Sequence, residues 1–498
     1  MNYRTMVICS LLFLVCAAQS KDLTTTNYTI MYQSGPKMGV PRMGQFSTLL
    51  SNGNVALFGG HGTNFVSLSS ADIYNPTSKT FTLSSMQYIH DFGAVSDLKD
   101  GTWLIAGGAY DLGVAPGTNT AEIYNPGTGT FTACSTMVYP RCVCSAVRLA
   151  SNNVLVVGGW YDQTSATYGE LFNPSTKSFA ATQALQTPRS NAVAIATNDS
   201  GAVVFGGYGY YGSPVYESVE YYNPKTNSFT QLQNHLFPND SGWCTQIDMF
   251  ARPLASQRLK NGQYLIYAWR QNPSQYTLGT FNPSAKSFAR LPLATPLPGT
   301  DSIVFFKAPL LDTTKNIAYW FGMKPNTNPA VMQLYIIDLN TLTWQSTQPY
   351  TTSYFWSYAG MNLLPNGSIL ITGGTTSNDY YTNFTPVDNT LLVTITSGTG
   401  VPGNSHASSV PAAYSLAQNF PNPFNPSTVI RYELPEAGHV TLKLFDLIGR
   451  EVATLVEGIR SAGSYELELS ASNLRSGAYF YRLQSGHFTE TRKLLLIK

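Results

Sequence analysis

Short apolar runs of four or five residues, each ending at a glycine pair, punctuate most of the chain. Val55 to Phe58 is wholly apolar and runs into Gly59-Gly60. Runs of that length between turn signals predict strands, since helices need roughly 10–12 residues or more. A second run, Phe46 to Leu50, precedes it, separated by Asn52-Gly53, a strong hairpin signal. After a variable loop, Ala71 to Tyr74 predicts a third strand. Asn75-Pro76-Thr77-Ser78-Lys79 then predicts a tight turn, with the Asn side chain bonding backbone and Pro fixing φ. Phe81 opens a fourth strand.

The same order recurs. It reads Gly107-Gly108, Tyr124-Asn125-Pro126, Phe131; then Gly158-Gly159, Phe172-Asn173-Pro174, Phe179; then Gly206-Gly207, Tyr222-Asn223-Pro224, Phe229. Three weaker copies follow, at Tyr267-Ala268 with Phe281-Asn282-Pro283, at Phe321-Gly322 with Asp338-Leu339-Asn340, and at Gly373-Gly374. The glycine pairs or their stand-ins end at 60, 108, 159, 207, 268, 322 and 374. The widest interval holds His235 to Arg252, which predicts an extended loop into the fifth unit.

Four short strands per ~50-residue unit predict a β-propeller blade. The seventh unit lacks a clear last strand, and a strand around Thr29 to Gln33 is expected to supply it and close the ring. Closure removes exposed sheet edges. Seven blades are expected, with six as the alternative. The glycine pair, the aromatic before Asn-Pro and the Phe opening the fourth strand resemble kelch repeats, over roughly residues 28 to 396.

Composition shifts near residue 397, where Ser397 to Ser405 reads as a Gly/Ser/Pro linker. Residues 414–498 carry 17 charged side chains, against 39 in the preceding 413, which argues for a separate module. Its alternating runs, at Val429 to Leu434, Val440 to Asp446, Tyr465 to Leu469, Tyr479 to Gln484 and Lys493 to Ile497, predict a small immunoglobulin-like β-sandwich of about seven strands. The stretches Asn419 to Thr428, Asp446 to Val452, Ser476 to Tyr481 and Thr491 to Leu494 closely resemble the type A C-terminal sorting domain of the type IX secretion system. The resemblance implies recognition of the tail in the periplasm, export across the outer membrane, and a secreted or surface-held product. The type IX machinery is then a partner through residues 414–498.

The N-terminus agrees with that route. Arg4 precedes an apolar stretch from Met6 to Ala18, and Ala18-Gln19-Ser20 offers small residues for cleavage, so residues 1–20 read as a signal peptide. The stretch is too short to span a bilayer, which needs about 20 residues. The full division is 1–20 signal peptide, 21–396 propeller, 397–413 linker and 414–498 sorting sandwich, with no transmembrane segment in the mature chain.

A formal net charge of +2 gives no electrostatic case for nucleic acid or an anionic membrane. Four cysteines remain beyond the leader: Cys134, Cys142, Cys144 and Cys244. They allow three disulfide connectivities, with Cys134–Cys142 the first candidate because the pair flanks one connection. Cys142-x-Cys144 also suggests a metal site, but no matching Cys/His pair lies nearby.

Chemistry is sought on one rim. The first strand of a blade starts, and the second ends, on the same face around the central channel. The starts carry Arg42, His90, Arg141 and Arg189; the ends carry His61, Tyr110, Trp160, Tyr208 and Trp269. Arginine donors beside aromatic faces suit a planar or anionic ligand, which fits an extracellular glycan or protein. The competing reading is that the recurring Pro-Arg positions brace the blades through bonds to backbone carbonyls. Catalysis has one candidate centre, His61 with His90, serving a carbohydrate-active lyase or oxidase. Kelch propellers that are copper radical oxidases use a Tyr-His dipeptide, and this chain has none. No catalytic set, metal or cofactor is therefore assigned. The expectation is an all-β protein, a kelch-type β-propeller followed by an immunoglobulin-like β-sandwich, that is exported and binds an extracellular glycan or protein.

Overall fold

Tyr28–Ser34 pairs antiparallel with Thr390–Ser397, from Tyr28 opposite Ser397 to Ser34 opposite Leu391. The first described strand thus completes the last sheet of the repeat region, about 360 residues downstream. The computed structural model describes residues 28–497 except 110–116, 160–162, 210–214, 246–256, 272–273, 300–302, 306, 325–326, 328–329, 353, 377–384, 398–412, 420, 426, 437, 461–462 and 472–473. The expected signal peptide and most of the linker lie outside the described residues. Two compact units divide the chain between Gly398 and Thr399.

The first unit is nearly all strand. Seven antiparallel sheets follow one another among its described residues. Sheet 1 joins Phe46–Leu49, Val55–Phe58, Ser70–Asn75 and Thr80–Ser85 in that order. Sheets 2 to 5 repeat the order, starting at Ala94, Ser145, Val193 and Gln257. Sheet 6 has six strands, because its inner strand is split into Val304–Phe305 and Leu310–Asp312 and an extra strand, Tyr350–Thr352, pairs with Ala330–Asp338. Sheet 7 is Phe355–Leu363, Ile369–Thr375, Thr390–Ser397 and the N-terminal strand.

The second strand of each early sheet is buried throughout: Val55–Phe58, Trp103–Ala106, Val154–Val157 and Ala202–Phe205. Strands covered on both faces read as continuous apolar runs, which is how they stood out in the sequence. Neighbouring sheets contribute to common cores; Phe58 of sheet 1 packs with Tyr124 and Phe131 of sheet 2. Bonds from Gln45 Nε2 to Thr372 O (2.8 Å) and from Asn362 Nδ2 to Ser47 Oγ (2.8 Å) join sheet 7 back to sheet 1. The architecture is propeller-like.

The recurring residues have specific jobs. Tyr74, Tyr124, Phe172, Tyr222 and Phe281 stand directly opposite Phe81, Phe131, Phe179, Phe229 and Phe288 across the last strand pair. Their rings lie 4.7–5.0 Å apart, inside the range for favourable aromatic pairs. Asn75 Oδ1 accepts from Thr77 N (2.8 Å) and Ser78 N (3.1 Å), closing the Asn-Pro turn. In the sixth unit Asp338 takes over that role, accepting from Asn340 N (2.8 Å) and Thr341 N (3.3 Å). Gly60 sits at φ +88, where a Cβ would lie 2.6 Å from Met43 O, so only glycine fits.

The second unit has seven described strands in two sheets. One orders Ser415–Leu416, Ser427–Leu434 and Gly463–Ser470; the other orders Glu451–Arg460, Gly438–Phe445, Gly477–Ser485 and Phe488–Leu496. Leu442, Leu444, Tyr481, Leu483 and Leu494 from one sheet meet Ile430, Tyr432 and Leu434 from the other in one core. Ser415–Leu416 and Glu451–Arg460 are the two strands the alternation did not reveal.

Candidate functional site

Four equivalent positions at the entrance to sheets 1 to 4 hold buried cations or an imidazole. Arg42, Arg141 and Arg189 have no exposed surface, and the His90 side chain is likewise buried. Each reaches the first glycine of its unit's pair. Arg42 Nη1 donates to Gly59 O (2.7 Å), Arg141 Nη1 to Gly158 O (2.8 Å) and Arg189 Nη1 to Gly206 O (3.0 Å). His90 Nδ1 lies 2.5 Å from Gly107 O; a carbonyl only accepts, so Nδ1 carries the hydrogen.

Each also faces a carboxylate on the third strand. Arg42 Nη2 lies 2.7 Å from Asp72 Oδ2, Arg141 Nη2 2.9 Å from Glu170 Oε1, and Arg189 Nη2 2.9 Å from Glu220 Oε1, all at side chains with no exposure. His90 Nε2 lies 3.1 Å from Glu122 Oε1, at ion-pair distance but off hydrogen-bond alignment. The carboxylates are held in turn. Glu220 accepts from Gln186 N (2.8 Å) and Thr187 N (3.0 Å), and Glu170 accepts from Val138 N (2.7 Å) and Tyr139 N (3.1 Å). Glu122 accepts from Gln87 N and Tyr88 N in the same way. Each carboxylate thus fixes the segment that delivers its own arginine or histidine.

These contacts correct the rim reading of Arg42, Arg141, Arg189 and His90. A guanidinium has five N–H donors. Arg42 spends all five, on Asp72 twice, Gly59 O, Ser70 O and Ser70 Oγ. Arg189 spends all five, on Thr187 O, Gly206 O, Ser218 O, Ser218 Oγ and Glu220. Arg141 keeps one unpartnered donor, Nε, but it is buried like the rest of the side chain, so none of the three arginines presents a surface to a ligand and the bracing alternative describes them. Burial pulls the Arg42 and Arg189 guanidinium groups below the usual arginine range, and Asp72 and Glu220 pull them back up.

The histidines separate as well. His61 Nδ1 lies 2.6 Å from Asp91 Oδ2, with both side chains fully buried. His61 and His90 therefore have different partners rather than forming a joint centre. Adjacent residues on an extended segment point to opposite sides, so His90 turns to Glu122 while Asp91 turns to His61. Ser67 Oγ approaches both His61 Nδ1 (3.4 Å) and Asp91 Oδ2 (3.2 Å). A serine nucleophile needs the imidazole nitrogen remote from the carboxylate. Here hydroxyl and carboxylate share Nδ1, and Nε2 is buried without a partner.

The second half of the expected rim follows the glycine pairs. Tyr110 and Trp160 lie outside the described residues. Tyr208 and Trp269 are partly exposed, and each is fixed by two backbone bonds, Tyr208 with Ser190 (2.9 and 2.9 Å) and Trp269 with Cys244 (2.9 and 3.0 Å). The same pairing places Met43 opposite His61 and Asp91 opposite Ala109. By this register Trp243, just before Cys244, occupies in unit 5 the place of Arg42 and His90. Trp243 is fully buried, with Arg270 4.5 Å and Arg290 5.6 Å from its ring centroid and Asp240 3.8 and 3.3 Å from the two cations. The sequence reading missed it, because no arginine or Pro-Arg marks the place.

The four cysteines are thiols, so the Cys134–Cys142 disulfide is not formed. The connection they flank leaves the outermost strand of sheet 2, Thr130–Ala133, and enters the first strand of sheet 3, Ser145–Arg148. It is a traverse between sheets rather than a hairpin. Burial pushes the Cys134 thiol up to about 11 and the Cys244 thiol up to about 12. Among the described residues, no group of three or more His, Cys, Asp or Glu side chains is placed to hold a metal. No described helix is long and apolar enough to cross a membrane.

No curated protein sequence matched the chain. A solved structure described as a novel fungal alcohol oxidase with catalytic diversity among the AA5 family, in complex with copper, is similar in fold. The TM-score is 0.50 at 13% identity, covering 95% of this chain and all of that one. Residues 418–498 match the family described as Secretion system C-terminal sorting domain, and this tail supports secretion through the type IX system.

Proposed function

We propose that this chain is a secreted or cell-surface kelch-type propeller of seven blades that binds an extracellular glycan or protein ligand. The type IX machinery exports it by way of the periplasm and outer membrane. The observation that carries the export half is the sorting domain at residues 418–498. A tail dedicated to sorting implies that the remaining unit acts outside the cell. The binding half rests on the aromatic part of the rim. Tyr208 and Trp269 are partly exposed residues on rigid, twice-bonded backbone, which suits a packing surface. The buried arginines hold that surface in place without touching the ligand.

The experiment is a glycan array combined with surface pull-down, using the purified mature protein and its W269A and Y208A variants. Capture of one glycan or protein class, lost in the variants, supports the reading. Capture that is indifferent to both substitutions removes the rim from it.

The second reading is a secreted carbohydrate-active lyase or oxidase, favoured by the fold it shares with a copper-containing fungal alcohol oxidase. Among the described residues, no donor set fits a copper centre. His61 and His90 are each committed to a buried carboxylate, and no described cluster offers three ligands. No step is derived through a metal. Metal analysis and an alcohol and aldehyde oxidation screen on the purified protein test that alternative.

A further inference from the structure

The two most exposed large apolar side chains described anywhere in the chain are neighbours. Ile448 is 74% and Leu447 67% exposed, at the tip of the hairpin joining Gly438–Phe445 to Glu451–Arg460 in the tail. The core of the tail includes neither.

The turn's own chemistry does not require them. Asp446 Oδ1 accepts from Ile448 N (3.1 Å) and Arg450 N (2.9 Å), and Asp446 N donates to Arg450 O (3.0 Å). Those backbone bonds hold the Asp446 carboxyl below the usual carboxylate range. Gly449 supplies the one left-handed position, at φ +78. Asp446 and Gly449 therefore fix the loop, and positions 447 and 448 could carry polar residues, as exposed turns ordinarily do. Apolar residues there cost solubility and contribute nothing to the fold.

The turn also carries a charge beside the apolar tip. Arg450 Nε is 2.9 Å from Asp446 Oδ2, and its side chain remains 76% exposed. The result is a rigid two-residue apolar knob flanked by a cation. We infer that Leu447 and Ile448 form the docking knob by which the tail engages the type IX export machinery, seated in an apolar pocket with an acidic rim facing Arg450. The inference rests on the export reading, because it gives that recognition a place on the folded tail. Preorganisation by Asp446 and Gly449 means little ordering is needed on binding.

The test uses the full chain in a host carrying the secretion system, measuring the fraction exported and the fraction held in the periplasm. Four chains are compared: wild type, one ending at residue 417, L447S/I448S, and L447I/I448L. The expected result is retention of the 417 chain, more than about a tenfold loss of export for L447S/I448S, and export near wild type for L447I/I448L. The purified L447S/I448S protein should melt within a few degrees of wild type, since neither side chain is packed. Normal export of L447S/I448S, with the 417 chain retained, overturns the knob and leaves the export reading standing. Normal export of the 417 chain overturns both. If L447S/I448S is unstable, R450E replaces it, and export of that charge reversal at the wild-type level overturns the acidic-rim pocket.

Discussion

The Arg189 guanidinium lies 2.9 Å from the Glu220 carboxylate, with neither side chain exposed to solvent. The cation enters sheet 4 and the carboxylate stands on its third strand, so the pair ties the inner edge of a sheet to its outer half. The same relation joins Arg42 to Asp72 and Arg141 to Glu170. Removing one member leaves the other charged in a low-dielectric interior, which costs far more than the pair's net contribution. E220A should therefore destabilise the propeller unit by about 3–5 kcal/mol. R189M/E220L, which removes both charges and keeps bulk, should lose much less. Urea unfolding of the three proteins checks this; equal losses for single and double variants would contradict the brace.

His90 occupies an arginine's place. It contacts Gly107 O as the arginines contact Gly59, Gly158 and Gly206, and it faces Glu122. H90R should restore the pattern of the neighbouring units and remain within about 1 kcal/mol of wild type, whereas H90L, which strands Glu122, should cost about 3 kcal/mol or more. Thermal melting of both variants reads the difference.

Burial has raised the Cys134 thiol to about 11 and the Cys244 thiol to about 12, above the ordinary 9.0. The folded protein thus holds these protons more tightly than the unfolded chain. The associated stability is fully present below pH 9 and is lost as pH rises through the folded values. Neither thiol is appreciably ionised at pH 8, so alkylation of the native protein should be slow and should accelerate on unfolding. Mass spectrometry after iodoacetamide treatment, with and without denaturant, measures it. Rapid native labelling at pH 8 would show that the thiols are not buried in this way.

Trp269 is the largest partly exposed aromatic among the described rim positions. If the rim binds ligand, W269A should weaken capture by about 2 kcal/mol, or roughly 30-fold, in protein that is still folded but melts lower, because Trp269 also packs against the apolar core beneath it. R189A should instead unfold the unit and lose capture only as a consequence. Binding measured beside circular dichroism separates the two effects.

Much of the fold was legible because a propeller-like repeat writes one pattern many times. The apolar second strands, the aromatic pairs such as Tyr74 with Phe81, and the Asn75 turn all recur at nearly fixed spacing. The N-terminal strand was legible from a gap in the last unit. The carboxylates were not read, although Asp72, Glu122, Glu170 and Glu220 each stand three residues before the Asn of the turn. They pair with residues about thirty positions earlier, across a loop of variable length, so the separation drifts from 29 to 31 among the three arginine pairs. Side-chain direction was the missing fact. Arg42 and Arg189 read equally well as rim donors until the structure placed a carboxylate and two or three carbonyls around each. Unit 5 escaped because Trp243 and Gly279 replace the cation and the acid there.

The most direct test of the central claim compares where two chains end up. The full chain and one ending at residue 417 are expressed in a host with a type IX system, and the protein is measured in medium, cell surface and periplasm. The account predicts the full chain at the surface or in the medium, and the shortened chain, folded and intact, in the periplasm. Equal appearance of both chains outside the cell would contradict it.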